Sequence, residues 1–341
     1  MHIAARSTAE VPVLRLGLAG FAPDEEALLC VELARRAGER PMAWQLAPLG
    51  EADAWCVSGP RLRRLPDGSW RIVPVRVGDH PIHIDPEHLE WPVAFSRPAG
   101  PPDFQPAHLF DLDSPAGIQT LLERLEGWLR PAMAQFHLAA HIVQGKVDLG
   151  AGVYHVTVHG KLYAVVSRRA GVGVWPLADP ALLAQAEWNR RPESADAIPA
   201  TFVHSSVAET MWQYATRTTR DCLPRHYRRK PLYLRRPPQL PPRLLSDRCL
   251  LVVRELERAP ATFNELLART GVAAADLARQ LAGLYMVGAI TADGTRVLPP
   301  YAMSEPGWSS SLAASQRDSD GIDLDATVHL KAVSGGLQPA K

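Results

Sequence analysis

The run Leu14-Arg15-Leu16-Gly17-Leu18-Ala19-Gly20 is short, almost continuously apolar and closed by glycine. That pattern suits a strand buried on both faces. Pro23 and the acids Asp24, Glu25 and Glu26 follow. Proline at the first helical position, with acids in the first turn, marks a helix start. Leu28, Val31 and Ala34 fall on one face of that helix, and Gly38 ends it. Met42 to Pro48 and Ala52 to Ser58 read as two further strands. Val73, Val75 and Val77, alternating with Pro74 and Arg76, read as a fourth, and Trp91 to Ser96 as a fifth. A helical pattern from Ile118 to Trp128, extending towards Ile142, closes the segment. A strand, a helix and then strands with short connections predict an open, largely parallel α/β sheet over residues 12–145.

This order resembles the receiver domain of bacterial response regulators, a flavodoxin-like fold, over roughly the first 130 residues. Arg97-Pro98 stands after the fifth strand, where receivers carry a Lys-Pro pair. Two functional positions differ. Receivers hold Mg²⁺ with an acidic pair after the first strand, and here that place is Gly20-Phe21. They accept phosphate on an Asp ending the third strand, and here Trp55-Cys56-Val57 runs into Ser58. Without carboxylates there is no hard-cation site and no acyl-phosphate nucleophile. The resemblance therefore implies a pseudo-receiver that works independently of phosphorylation, as a docking or dimerisation module. Pro74, which removes a ladder donor, conflicts with the central place that this order gives its strand.

The 341 residues, 46% apolar and 21% charged, allow two or three domains with a substantial core. A formal net charge of +1 excludes a global field that gathers nucleic acid or membrane. Cys30, Cys56, Cys222 and Cys249 lack metal-motif spacing and read as reduced thiols. The opening MHIAARSTAEVP has no apolar signal region, and no run of about 18 apolar residues occurs. A soluble cytoplasmic protein with no membrane partner is expected.

Residues 146–242 read as a small α+β unit with a basic connector. Tyr154, Val156 and Val158 alternate with polar residues, and Leu162 to Val166 returns after a turn at His159-Gly160-Lys161. Val172 to Trp175 adds a third strand. Asp179-Pro180 opens a helix running to Trp188, and Ser206 with Glu209 forms a capping box for another. In residues 243–300, Ser246 caps a helix that Pro260 stops, and Thr262 with Glu265 caps a second that Gly271 ends. Ala273 to Gly288 is a third, with Leu277, Leu281 and Leu284 inward. Ala289 to Thr291, an Asp293-Gly294 turn and Thr295 to Leu298 read as a hairpin. Three helices and a hairpin resemble the winged-helix domains of bacterial regulators, most clearly in Leu277-Ala278-Arg279-Gln280-Leu281 through Gly288-Ala289-Ile290. Residues 301–341, rich in Ser, Gly and Asp from Ser304 on, read as a mobile tail. Asp318, Asp320, Asp323 and Asp325 lack EF-hand spacing.

The strongest charge feature is Arg217 to Arg243. It holds Arg217, Arg220, Arg225, Arg228, Arg229, Lys230, Arg235, Arg236 and Arg243 against Asp221 alone. That is +8 within a chain of +1, which leaves −7 for the remainder. Tyr227 and Tyr233 are interleaved. Arginine forks bind phosphate and stack on bases, so the stretch fits DNA, an acidic protein surface or a nucleotide second messenger. It also fits a linker paired with the chain's own acids. Arginine-rich stretches with tyrosines loosely resemble cyclic-dinucleotide binding segments. The PilZ companion motif, Asp/Asn-x-Ser-x-x-Gly, is only partly met by Asp111-Leu112-Asp113-Ser114-Pro115-Ala116-Gly117, because Leu112 stands where the acid or amide belongs.

For DNA, the winged-helix resemblance puts the third helix in the major groove. Arg279 and Gln280 would read base edges, and Arg296 and Arg269 would touch the backbone. His80, His83, Asp85 and His88 form a compact cluster that would suit a metal-dependent enzyme if other ligands joined it. His137 with His141, and His155 with His159, share element faces and read as structural pairs. No phosphate-binding glycine loop, nucleophile elbow or paired carboxylate is present. The leading expectation is a non-catalytic regulatory or signalling protein without a cofactor. It would contact an anionic partner and would be a candidate homodimer.

Overall fold

In the computed structural model, which describes residues 10–36, 43–75, 80–85, 91–98, 106, 108–145, 149 and 152–296, the apolar run is β1 (Val13–Ala19). α1 (Pro23–Arg36) follows, with its three acids in the first turn. Next come β2 (Ala43–Leu46), β3 (Ala54–Val57), β4 (Leu62–Arg64), β5 (Trp70–Ile72), β6 (Ile82–Ile84), β7 (Val93–Ser96), β8 (Leu109–Phe110) and α2 (Pro115–Val143). Five of these strands make one parallel sheet, in the order β2-β1-β3-β7-β8. One face is covered by Leu29 and Leu33 of α1 and by Ile118 and Leu122 of α2. The other is covered by an antiparallel sheet of β4, β5 and β6, whose Leu62, Ile72 and Ile84 pack on Ala19, Val57 and Phe95.

Three expectations change here. Among the described residues, 73–75 add no strand to the parallel sheet. β5 ends at Ile72, the Val73 amide donates to the Arg61 carbonyl at 2.9 Å, and Pro74 has no amide to continue a ladder. Residues 76 and 77 lie outside the described residues. Trp91 to Ser96 therefore contains the fourth parallel strand rather than the fifth. The fifth is β8, only two residues long, so Arg97-Pro98, joined by a cis peptide, follows the fourth. On α1 the inward residues are Leu29 and Leu33, whereas Leu28 and Val31 are exposed. Gly38 lies outside the described residues.

α2 runs 29 residues without interruption. Ser114 caps it by accepting the Gly117 amide at 3.1 Å, so the PilZ-like stretch is a helix start. Pro131 sits inside it, removing one backbone hydrogen bond. Its first half belongs to the parallel-sheet core. Its second half carries Ala134 and Leu138 into a second sheet and Phe136 against Tyr214, ring centroids 5.1 Å apart.

That sheet is built from β9 (Val153–Val158), β10 (Lys161–Ser167) and β11 (Gly171–Val174). Then follow α3 (Pro180–Leu183), β12 (Glu187–Arg191), β13 (Val203–Ser205) and α4 (Val207–Arg217). Its strands are antiparallel, in the order β12-β9-β10-β11-β13. His159 (φ 49°) and Gly160 (φ 76°) turn β9 into β10, the left-handed pair that a tight hairpin requires. Asp179 caps α3 as expected, but the helix stops at Leu183 rather than reaching Trp188. Residues 187–191 pair with β9 instead. Asn189 there donates to Thr157 at 3.0 Å, and Trp188 stacks on His141 at 4.5 Å. The Ser206–Glu209 capping box starts α4 with both bonds made.

The last elements are β14 (Tyr233–Leu234), α5 (Asp247–Arg258), α6 (Phe263–Thr270), α7 (Ala274–Met286) and β15 (Ile290–Thr291). Ser246, the Thr262–Glu265 box and Gly271 (φ 65°) bound the helices where the sequence puts their ends. Among the described residues, the Asp293-Gly294 hairpin does not form. β15 pairs with β14 from the connector, and Asp293 accepts both the amide and the hydroxyl of Thr295, which winds residues 294–296 into a 3-10 turn. Val297 and Leu298 lie outside the described residues, as do residues 301–341 with their four aspartates. The core of α5–α7 includes Trp212, Leu223, Tyr227 and Leu232, so it runs across position 243. No described helix is long and apolar enough to cross a membrane.

α4 and α7 meet at Gly283, where an added Cβ would lie 2.6 Å from the Trp212 ring. Gly283→Ala should therefore destabilise the chain by about 1–3 kcal/mol in chemical denaturation, although glycine to alanine inside a helix normally stabilises by roughly 1 kcal/mol.

Candidate anion-binding surface

α4 delivers the first of the nine cations into the interior. Arg217 is only 8% exposed in its side chain and forms an ion pair with Asp53, which is equally buried. Its Nη1 also donates to the Gln213 side chain, while its Nε has no partner. Asp53 accepts the backbone amide of Arg15 at 2.8 Å, and the Arg15 guanidinium donates to the Thr216 carbonyl. Burial pushes the Arg15 pKa down; Asp53 opposes this, and Arg217 and Arg279 add to it. This cluster joins β1, the start of β3 and the end of α4.

The next cations divide by whether an acid or carbonyl reaches them. Arg220 pairs with Glu10 at 3.1 Å, and Glu10 also accepts the hydroxyls of Tyr214 and Thr218. Arg228 pairs with Asp221 at 2.8 Å and lies 5.0 Å over the Phe263 ring. Arg236 donates to the Val287 carbonyl at 3.1 Å, at the end of α7, where the helix dipole favours a cation. The side chains of Arg225, Arg229, Lys230, Arg235 and Arg243 are exposed and make no hydrogen bond or ion pair with the described residues, although Arg243 is close enough to Glu209 to oppose the burial that raises its carboxyl pKa. Each cation offers solvent donors only, suited to phosphate or carboxylate oxygens.

The aromatic residues of the segment are not offered alongside them. Tyr227 is buried edge-on to Tyr285 at 5.0 Å, and Tyr233 is half-buried, with its ring against Gly294. Tyr285 itself is 39% exposed, a feature that its place in an apolar helix pattern concealed.

The expected base-reading pair is occupied within the chain. Arg279 bonds Asp276 at 2.8 Å; Asp276 also holds Arg248 at 3.0 Å, and Arg248 reaches Glu51 at 3.2 Å. Gln280 is buried, and its amide lies 3.4 Å from the Ser246 hydroxyl. α7 packs against both α4 and α5, so its polar residues turn inward or towards the parallel-sheet unit. Arg269 on α6 is exposed, and the Arg296 backbone lies in the final 3-10 turn. Sequence reasoning missed Glu10, Glu51 and Asp53, acids about 160 to 210 positions from their partners in a chain whose separations carry no pairing signal.

Among the described residues, the histidines do not assemble a metal centre. His80 and His83 are exposed, His83 stands opposite Arg71 in the antiparallel sheet, and His88 lies outside the described residues. Among the described residues no group of three or more His, Cys, Asp or Glu could hold a metal ion. His155 lies 3.0 Å from the Ala195 carbonyl. Cys56 and Cys249 are buried, and burial pushes both thiols up to about 12. A cavity of about 310 Å³ opens at the carboxyl end of β1, lined by Phe21, Glu26, Ile72 and His80 among others. Gly20-Phe21 and Ser58 stand where β1 and β3 end. No protein-family model, curated protein or solved structure matches the chain.

Two outcomes follow. Arg217→Ala leaves Asp53 buried without its cation and should cost about 3–5 kcal/mol in denaturation, whereas Arg229→Ala should stay within about 0.5 kcal/mol. Burial also holds His137 below its ordinary value of 6.5, with Glu10 and Asp179 opposing. The unfolded chain then binds the extra proton first, so stability is full above pH 6.5 and declines as pH falls through the lowered folded value. His137→Gln should flatten that acid-side decline in pH-dependent melting curves.

Proposed function

We propose that this chain is a non-catalytic, cytoplasmic regulatory protein that docks on the phosphate backbone of DNA through Arg225, Arg229, Lys230, Arg235 and Arg243. The reading rests on those five side chains being exposed and making no hydrogen bond or ion pair among the described residues, with only Arg243 feeling a nearby carboxylate, that of Glu209. The N-terminal unit is a receiver-like docking module. Counted along the chain, its parallel strands lie in the order 2-1-3-4-5, the flavodoxin-like order. The residues ending its first and third strands provide no phosphoacceptor, so it acts without phosphorylation. The C-terminal helices are a winged-helix derivative whose wing position is taken by the β14–β15 pair.

Because Arg279 and Gln280 are engaged within the chain, contact with DNA is independent of sequence. The nucleotide-messenger alternative is weaker, because Tyr227 is buried and Ser114 caps a helix. An acidic protein surface is the second reading. Exposed Tyr285, in ring contact with Tyr227, favours it, since Tyr and Arg are enriched at protein interfaces.

Fluorescence anisotropy with a labelled duplex tests the proposal. Five phosphate contacts give a slope of log K against log salt of about −4 to −5. Replacing Arg225, Arg229, Lys230 and Arg235 with Ala should abolish binding, while Arg279→Ala should leave it unchanged. No binding at low salt, or a slope indifferent to the four replacements, would overturn the reading.

A further inference from the structure

The exposed stripe of α1 has a pattern that the DNA-docking role does not use. Leu28 is 50% exposed and Val31 63%, beside exposed Ala27, Cys30 and Ala34. Asp24 and Arg35, also exposed, stand at the two ends of the same stripe, since spacings of four, three and four residues keep Asp24, Leu28, Val31 and Arg35 on one side of a helix. Acid at the amino end, apolar side chains in the middle and a base at the carboxyl end make this face complementary to itself in antiparallel orientation.

We propose that α1 is a homodimer interface and that its occupant is the α1 of a second copy. A two-fold axis midway between Leu29 and Cys30 sets Leu28 against Val31 of the second copy. The same axis sets Asp24 against Arg35 of the second copy, so both apolar and both charged contacts occur twice. Arg35 binds Glu32 through Nε at 3.1 Å and Nη2 at 2.7 Å, which leaves Nη1 for the second copy's Asp24. Ala27 and Ala34 let the helices approach closely, and antiparallel helix dipoles add a favourable term. Fourteen residues make a contact about 21 Å long, smaller than a standard interface, so the dimer is reversible with a dissociation constant in the micromolar range.

Sedimentation velocity on the full chain, across low to high micromolar concentration, tests this directly. The wild type should pass from monomer to dimer. Asp24→Arg and Arg35→Asp should each weaken the dimer about tenfold or more by setting like charges opposite each other, and the double variant should restore it. Leu28→Ser, at a side chain half in solvent, should weaken it similarly while helix content by circular dichroism stays unchanged. A chain that stays monomeric throughout, or a dimer indifferent to Leu28→Ser and to both reversals, overturns the proposal. So does a double variant that remains folded without regaining the dimer. The readout is mass, so it stands or falls separately from DNA binding.

Discussion

Asp53 and Arg217 meet where the parallel sheet, the end of α4 and the path into the C-terminal helices come together. A buried ion pair of this kind adds little net stability over an apolar pair, because desolvation offsets the attraction. Its effect is positional. Once Arg217 is committed to Asp53, with Arg15 closing on the Thr216 carbonyl, the chain leaving α4 can emerge in only one direction. Glu10 repeats the device one turn later, holding Tyr214, Thr218 and Arg220. The basic segment begins as an interior strut at Arg217 and reaches the surface from residue 219 on.

The +8 of that segment is therefore not one property. Part of it is structural charge, balanced by acids from the amino-terminal unit or by a helix terminus. The rest faces water, where isolated cations cost the fold little and stay available to a partner. The third C-terminal helix shows the opposite allocation. Arg279 and Gln280 have the chemistry of base readers, but Asp276 and Ser246 engage them first. Residue type set what each group could bind, and packing set whether it remained free to do so.

The sequence was most legible where the cause is local. Ser206 with Glu209, Thr262 with Glu265, and Gly271 mark helix ends through bonds made within a few residues, and each lies where it was read. The β9–β10 turn was legible for the same reason. Elements whose pairing is distant were not. β8, two residues long, owes its strand character to β7, and β15, read as a strand, pairs not with the residues that follow it but with Tyr233 and Leu234 far back in the chain. Residues 187–191 have helical neighbours and become a strand because β9 offers a ladder. On α1, Leu28 and Leu29 are equally apolar, and periodicity chose the stripe that faces solvent. For the site, the cationic stretch was plain in the sequence. Its division into engaged and free members was not, because that division depends on single acids brought near by folding.

α2 passes from the first sheet to the second without a hinge loop, spanning about 43 Å at an ordinary helical rise. One end is gripped under β1 and the other under Tyr214 and β10, so the two sheets share a single shaft rather than a tether. Twisting one sheet loads the other mechanically. The missing amide at Pro131, with the carbonyl of Gly127 left over, is the point along that shaft where torque is most easily absorbed.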